Sequence, residues 1–343
     1  MKTKIPKTKR IYLGIECLRM ILSFLIVSVH YGFFEKNKLF YFAIRGLDFY
    51  VPTFFLISFY FSYNTFTLKN INKIKMRFKR ILIPYFIWPI IIWIKNNLIN
   101  YEKNLLKTDL NIFKKLYYQI IIGAGVHGVF WFHFNLIFIS VFLIINIFMF
   151  SRYYPLILSI VSILIYFINT SNFILNYFKS STLLVNHSIK PIGNSLIYSI
   201  TGFYLGSINL IKKLSFNRNK CVLLFLILFY ILNVYKNFIL FKYNKYFNSI
   251  KTDLIAINLF IIFGLLPIDK INNLKIIFFI KQITSYTGGI YYIHPEIIYY
   301  MHKYFSKRYN RILKNLSIYC ISYIICCINS KIFKSTNLIY LFN

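Results

Sequence analysis

The stretch IYLGIECLRMILSFLIVSVHYGFF, residues 11–34, is apolar over a length that crosses a membrane, yet it contains Glu16, Arg19 and His30. Ionisable side chains inside a membrane helix cost at least a few kcal/mol each, so they normally face a cavity or a partner. Arg19 and His30 lie on one helical face, about 16 Å apart along the axis. We therefore predict that this helix spans the membrane and carries functional groups.

The composition is that of a membrane protein. The 343-residue chain is 58% hydrophobic, 21% aromatic and only 14% charged. Its net charge of +33 comes from Lys and Arg residues that lie mostly between apolar runs, a pattern that suits anionic lipid head groups. Membrane lipids are therefore expected partners and nucleic acid is not, because no soluble basic domain is present to bind it. The five cysteines lack metal-ligand spacing, and we expect no metal.

The apolar runs predict an all-α, polytopic membrane helix bundle of about ten transmembrane helices in a single domain, residues 1–343. Five basic residues precede the first span and six lie in the loop at 69–80, against three in 35–45. By the positive-inside rule the N-terminus is cytoplasmic, and an even number of spans puts the C-terminus there too. The protein is then a multi-pass protein of the cytoplasmic membrane. The predicted helices are residues 12–34, 46–66, 81–99, 126–149, 155–170, 192–211, 221–239, 252–268, 283–301 and 312–330.

A basic segment, KMRFKRILIPYFIW at 75–88, precedes the third predicted helix. It contains Arg77 and Arg80 in an RxxR pattern, with Lys79 beside them. Arginines at this spacing share a helical face and bind phosphate oxygens through paired hydrogen bonds. A basic loop is also what a cytoplasmic position requires, so both interpretations stay open.

Two further segments place polar side chains in apolar surroundings. In ITSYTGGIYYIHPEIIYY at 283–300, His294 is either a packing residue or, with Glu296 nearby, part of a polar cavity. In HGVFWFHFN at 127–135, an interfacial aromatic belt would also explain His127, Trp131 and His133. Glu16 and Arg19 have a simple alternative as well, because their spacing allows a local ion pair near the membrane surface.

Taken in order, these segments resemble the membrane-bound acyltransferase family 3, from about residue 10 to 300 or beyond. The chain departs from the family pattern in Glu16, where Asp is common, and in Phe59, where glycine is expected after Ser58. His133 and Asn135 also depart from it. The matching elements are Arg19 and His30 with ten residues between them, the RxxR at Arg77 and Arg80, the WF pair at Trp131 and Phe132, and the YxIH at Tyr291 to His294.

The resemblance implies transfer of an acyl group, usually acetyl from acetyl-CoA, to a sugar hydroxyl of a cell-surface polysaccharide or its lipid-linked precursor. His30 would then be the general base, and Arg19 would orient it or stabilise negative charge. Glu16 would position Arg19, and His294 would be a second cavity residue. The cations that would bind the phosphates of acyl-CoA are Arg77, Arg80 and Lys79.

A different class of protein would use the same residues without chemistry. In a transporter or a flippase for a lipid-linked glycan, the intramembrane polar side chains would line a translocation path. This alternative predicts no transfer of an acyl group. The side chains concerned are Arg19, His30, His294 and Glu296.

Overall fold

The structure is a computed structural model that describes residues 13–31, 49–102, 130–151, 153–170, 190–240, 248–266, 274–304 and 311–342. Within these ranges the chain forms helices and no strand, which confirms the all-α prediction. Short 3-10 helices occupy Ser215–Asn217 and Asn337–Leu341. The α-helices are α1 Leu13–His30, α2 Tyr50–Thr67, α3 Ile71–Glu102, α4 Trp131–Met149, α5 Tyr154–Thr170, α6 Lys190–Ser207, α7 Leu210–Leu214, α8 Arg218–Leu240, α9 Asn248–Leu265, α10 Leu274–Ser285, α11 Thr287–Tyr304 and α12 Arg311–Ile332.

Every helix predicted from the sequence overlaps one of these α-helices, but the predicted loop at 69–80 is wrong. Helix α3 begins at Ile71, so the RxxR motif lies within its first turns. Asn70 caps this start, because its side-chain oxygen accepts a hydrogen bond of 3.1 Å from the backbone N–H of Lys73. Lys, Arg and Met are also good helix formers. The basic residues therefore extend an apolar helix instead of separating two.

Three of the described helical segments are long and apolar enough to cross a membrane. The other predicted spans, the number of about ten and the cytoplasmic position of both termini stay predictions. The sequence predicts a single helix that begins at residue 283. The structure instead has two helices, α10 and α11, which meet at Tyr286. The three segments are Leu13–His30, Trp131–Met149 and Leu313–Ile332.

The chain divides into two compact units. The first comprises Met1–Tyr63, Thr201–Lys331 and Phe342–Asn343, and the second comprises Asn64–Ile200 and Ile332–Leu341. The single functional domain that we predicted for residues 1–343 stays a prediction.

Helix α1 is the central element of the first unit, where it packs against α9, α10 and α11. Its apolar face, with Ile15, Leu18 and Leu22, joins a buried cluster that includes Ile255 and Phe260 of α9. Leucines and isoleucines spaced three and four residues apart form one continuous stripe on a helix. The polar residues of α1 project from a different side of the helix, about 100° around the axis from this stripe.

In the second unit, α3 packs against α4 and against the 3-10 helix Asn337–Leu341. The indole N–H of Trp88 donates a hydrogen bond of 3.2 Å to the carbonyl of Leu341. Between α4 and α6, the side-chain amide of Asn135 donates to the hydroxyl of Ser195 at 3.0 Å, and both residues are buried. Paired polar groups of this kind let apolar helices carry buried polar side chains.

Two glycines bring α6 into backbone contact with α2. A Cβ atom at Gly202 would collide with the backbone of Leu56, and one at Gly206 would lie 2.8 Å from the carbonyl oxygen of Tyr60. Gly202 and Gly206 are four residues apart, the spacing of the small-residue motif by which membrane helices approach closely. This contact is possible only because neither position carries a side chain.

We expect Gly202→Ala to destabilise the protein by roughly 1–3 kcal/mol, because the added methyl group must displace the backbone of α2. Thermal unfolding of the full chain in detergent micelles measures the effect. Ser207→Ala on the same helix is the control, since the Ser207 hydroxyl donates to the carbonyl of Tyr204 within α6. Equal melting temperatures for Gly202→Ala and the control would contradict the close contact.

Candidate active site

The polar residues of α1 form a stripe along one side of the helix. Glu16, Arg19, Ser23 and His30 fall within about 60° around the axis at 100° per residue. Glu16 and Arg19 belong to the first two turns, whereas His30 is the last residue of the helix. Each of these side chains therefore meets a different neighbour along the length of α1.

Arg19 is hydrogen-bonded to three groups. Its Nη1 donates to the carboxylate of Glu16 at 3.1 Å, which also forms an ion pair. Its Nη2 lies 3.2 Å from the hydroxyl of Thr287 and 3.3 Å from the carbonyl oxygen of Thr284. The local ion pair expected from the sequence is present, but it is only part of the arrangement. Arg19 also joins α1 to the corner where α10 meets α11.

His30 lies beside His294 of α11. Their ring centroids are 5.1 Å apart and the rings are inclined by 45°. His294 is fully buried, whereas His30 is exposed at the end of α1. The structure thus brings together two of the histidines that the sequence singled out, although they lie near opposite ends of the chain.

The tautomer of His294 follows from its hydrogen bond. Its Nδ1 is 3.1 Å from the carbonyl oxygen of Ile290, one turn earlier on α11. A carbonyl oxygen only accepts, so Nδ1 carries the proton and Nε2 is the basic nitrogen of the neutral ring. Tyr291 lies close by, with its ring centroid 5.9 Å from that of His294. Glu296 is half-buried. Its side chain projects from α11 about 200° around the axis from that of His294, on the other side of the helix.

Helix α12 contacts α1 through hydroxyl and amide groups that the sequence analysis missed. The hydroxyls of Ser23 and Tyr319 are 2.7 Å apart, and the amide of Asn315 donates to Ser28. Ser28 in turn donates to the carbonyl of Phe24. Their signal in the sequence is weak, because Ser and Thr in apolar helices commonly bond to carbonyls of their own helix. Thr284 and Thr287 escaped notice for the same reason.

The RxxR motif lies in the second unit. Arg77 is half-buried, with its Nε 3.4 Å from the hydroxyl of Ser140 on α4 and its guanidinium 5.6 Å from the centroid of the Phe66 ring. Burial lowers the pKa of Arg77 to about 10, so this side chain remains a cation at neutral pH. Arg80 and Lys79 are exposed. The segment therefore presents one guanidinium held by its neighbours and two exposed cations on the first turns of α3.

The structure describes two of the three residues singled out in the aromatic segment at the start of α4, Trp131 and His133. His133 is buried in the second unit, with its ring 5.3 Å from that of Phe132, while Trp131 is half-buried. His127 lies outside the described residues. Within the described ranges, no three His, Cys, Asp or Glu side chains cluster as metal ligands would.

A match to a known protein family identifies the class of this protein. The sequence model of acyltransferase family 3, described as an acyltransferase domain, matches residues 12–330. Because this match covers most of the chain, the protein belongs to that family, which confirms the resemblance noted from its motifs. No curated protein and no solved structure matches the chain. The protein is thus an acyltransferase of the membrane.

We expect Tyr319→Phe to lower the free energy of unfolding by about 1 kcal/mol, because it removes the hydroxyl that meets Ser23 inside the first unit. Thermal unfolding in detergent measures this change. Tyr153→Phe is the matched control, since Tyr153 is largely exposed. A loss of stability that is equal in the two variants would contradict a stabilising contact between α1 and α12.

Proposed function

We propose that this protein is an O-acyltransferase that moves an acetyl or similar acyl group from acyl-CoA to a sugar hydroxyl. The acceptor is a cell-surface polysaccharide or its lipid-linked precursor. The observation that carries the proposal is the pairing of His30 with His294 in a chain of an acyltransferase family. Transfer to a hydroxyl requires a base, and neutral imidazole is a suitable one near pH 7.

His30 is the base in this proposal. It accepts the proton of the acceptor hydroxyl while the oxygen attacks the thioester carbonyl carbon. The carbon–sulfur bond then breaks, the CoA thiolate leaves and takes up a proton, and the acyl group remains on the sugar as an ester. His30 is the member of the pair that an acceptor can reach, because it is exposed and His294 is buried.

His294 supports the base. Its Nδ1 proton is held by the carbonyl of Ile290, which fixes the ring and leaves Nε2 as a hydrogen-bond acceptor. An acceptor next to a catalytic imidazole orients that ring and stabilises its protonated form, as the carboxylate does in a catalytic triad. We assign His294 this orienting role. Glu16 and Arg19 take a positioning role, because Arg19 is engaged by Glu16, Thr284 and Thr287.

The cations of α3 bind the donor in this proposal. CoA carries a diphosphate and a ribose phosphate, and guanidinium groups bind such oxygens through paired, charge-assisted hydrogen bonds. Arg77 supports this role because Ser140 and the Phe66 ring hold it in place. Arg80 and Lys79 add exposed positive charge on the neighbouring turn. We further propose that the protein is a multi-pass protein of the cytoplasmic membrane. Helix α3 then begins on the cytoplasmic side, where CoA is made.

Replacing His30 by Ala should abolish acyl transfer while leaving acyl-CoA binding intact, because the base is lost and the donor site is not. Membranes that contain the full chain are incubated with radiolabelled acetyl-CoA, and label in the glycan fraction is counted. With the unaltered protein, the rate should fall as the medium is made acidic, since only the neutral imidazole accepts a proton.

His302→Ala is the control for loss of a histidine, because the exposed His302 ring stacks on Tyr31 and takes no part in the proposed chemistry. Retained transfer in His30→Ala would sink the assignment of the base. A glycan that stays unlabelled with the unaltered protein, together with accumulation of a lipid-linked intermediate when the gene is deleted, would instead support a flippase.

Replacing Arg77 by Gln should weaken CoA binding about tenfold, the order of one lost charge-assisted interaction. Isothermal titration of CoA into the full chain in detergent measures the affinity. Lys73→Gln removes one exposed cation from the same helix and serves as the control. Equal affinities for both variants would show that general positive charge, and not the held guanidinium, attracts the donor.

A further inference from the structure

The hydroxyl of Thr287 completes a closed set of hydrogen bonds around Arg19. It donates its proton to the carbonyl of Thr284 at 3.0 Å and accepts from Nη2 of Arg19 at 3.2 Å. The same nitrogen of Arg19 lies 3.3 Å from the Thr284 carbonyl oxygen. Thr287 itself is buried, so no water replaces this interaction at low cost.

This set lies at a corner of the chain. Thr284 belongs to the last turn of α10, Thr287 is the first residue of α11, and Tyr286 lies between the two helices. A guanidinium bonded to both sides of such a corner holds the two helices to α1. Because hydrogen bonds to a charged donor are directional and stronger than neutral ones, the position of α1 is restrained both along and around its axis.

Helices α1 and α11 meet a second time at the histidine pair. Arg19 precedes His30 on α1, and Thr287 precedes His294 on α11, so the two helices run in the same direction where they pack. A slip of one residue would shift α1 by about 1.5 Å and turn it by about 100°. The contact at Arg19 therefore determines how His30 is presented to His294.

We propose that Thr287 is a positioning residue that sets the register of α1 on α11 through Arg19, and thereby the orientation of His30. The effect on transfer rests on the proposed function of His30. The effect on the surroundings of the His30 ring does not, because it follows from the contacts alone.

The test compares three variants of the full chain. Thr287→Val keeps the shape and removes the hydroxyl, Thr287→Ser restores a hydroxyl, and Thr53→Val is the matched control. Thr53 is a buried threonine of the first unit whose hydroxyl donates to the carbonyl of Phe49, the residue just before its own helix. Two quantities are measured: kcat and KM for acetyl-CoA in membranes, and the rate at which diethyl pyrocarbonate modifies His30, followed by mass spectrometry of its peptide.

We expect Thr287→Val to lower kcat about tenfold, the order of one charge-assisted hydrogen bond, with KM for acetyl-CoA unchanged. His30 should react several-fold faster with the reagent, because its ring leaves the contact with the buried His294. Thr287→Ser should return both quantities to those of the unaltered protein, and Thr53→Val should not change them.

The proposal would be overturned if Thr287→Val and Thr53→Val had the same kcat and the same reactivity of His30. If the unaltered protein transfers no acetyl group, the proposed function fails, and the reactivity of His30 alone decides the positioning role. If Thr287→Val does not accumulate, Thr287→Cys is measured in its place, because a thiol is a weak acceptor. Unchanged His30 reactivity in that variant would equally overturn the proposal.

Discussion

A guanidinium inside an apolar helix must find hydrogen-bond acceptors, because leaving it without them is far more costly than ordering its neighbours. Arg19 finds one acceptor on its own helix, in Glu16, and two at the corner between α10 and α11. The requirement to satisfy one charge therefore connects a segment near the start of the chain to one near its end.

Different sides of α1 are held in the first unit by different kinds of interaction. Its leucine and isoleucine stripe joins the apolar core with α9, which supplies non-directional stabilisation. Its polar stripe meets α11, and its serines meet Tyr319 and Asn315 of α12. Directional hydrogen bonds select one register among those that apolar packing alone would allow. The role of base that we propose for His30 depends on that selection, since proton transfer depends on distance and angle.

In the second unit, the basic and the apolar residues of α3 occupy different parts of the helix. The basic turns that precede its apolar part begin at the Asn70 cap and present Arg77, Lys79 and Arg80. Only Arg77 is held by neighbours, Ser140 and Phe66. A cation with fixed surroundings is better organised for binding an anion than one free to move in solvent, because less side-chain entropy is lost on binding.

The helical, membrane-type character of the chain is readable from the amino-acid order, because hydrophobicity and its period are local properties. The sequence also singles out Arg19, His30 and His294, because ionisable groups in apolar runs carry a visible cost, and the RxxR pair, because of the spacing of its arginines. It misplaced the start of α3, where a cap and helix-forming basic residues decide the boundary without any apolar signal. Which polar groups meet depends instead on how the helices pack: His30 lies beside His294, and Arg19 bonds to Thr284 and Thr287. Partners so far apart in the chain leave no local pattern, and a threonine that holds an arginine looks the same in the sequence as one bonded within its own helix.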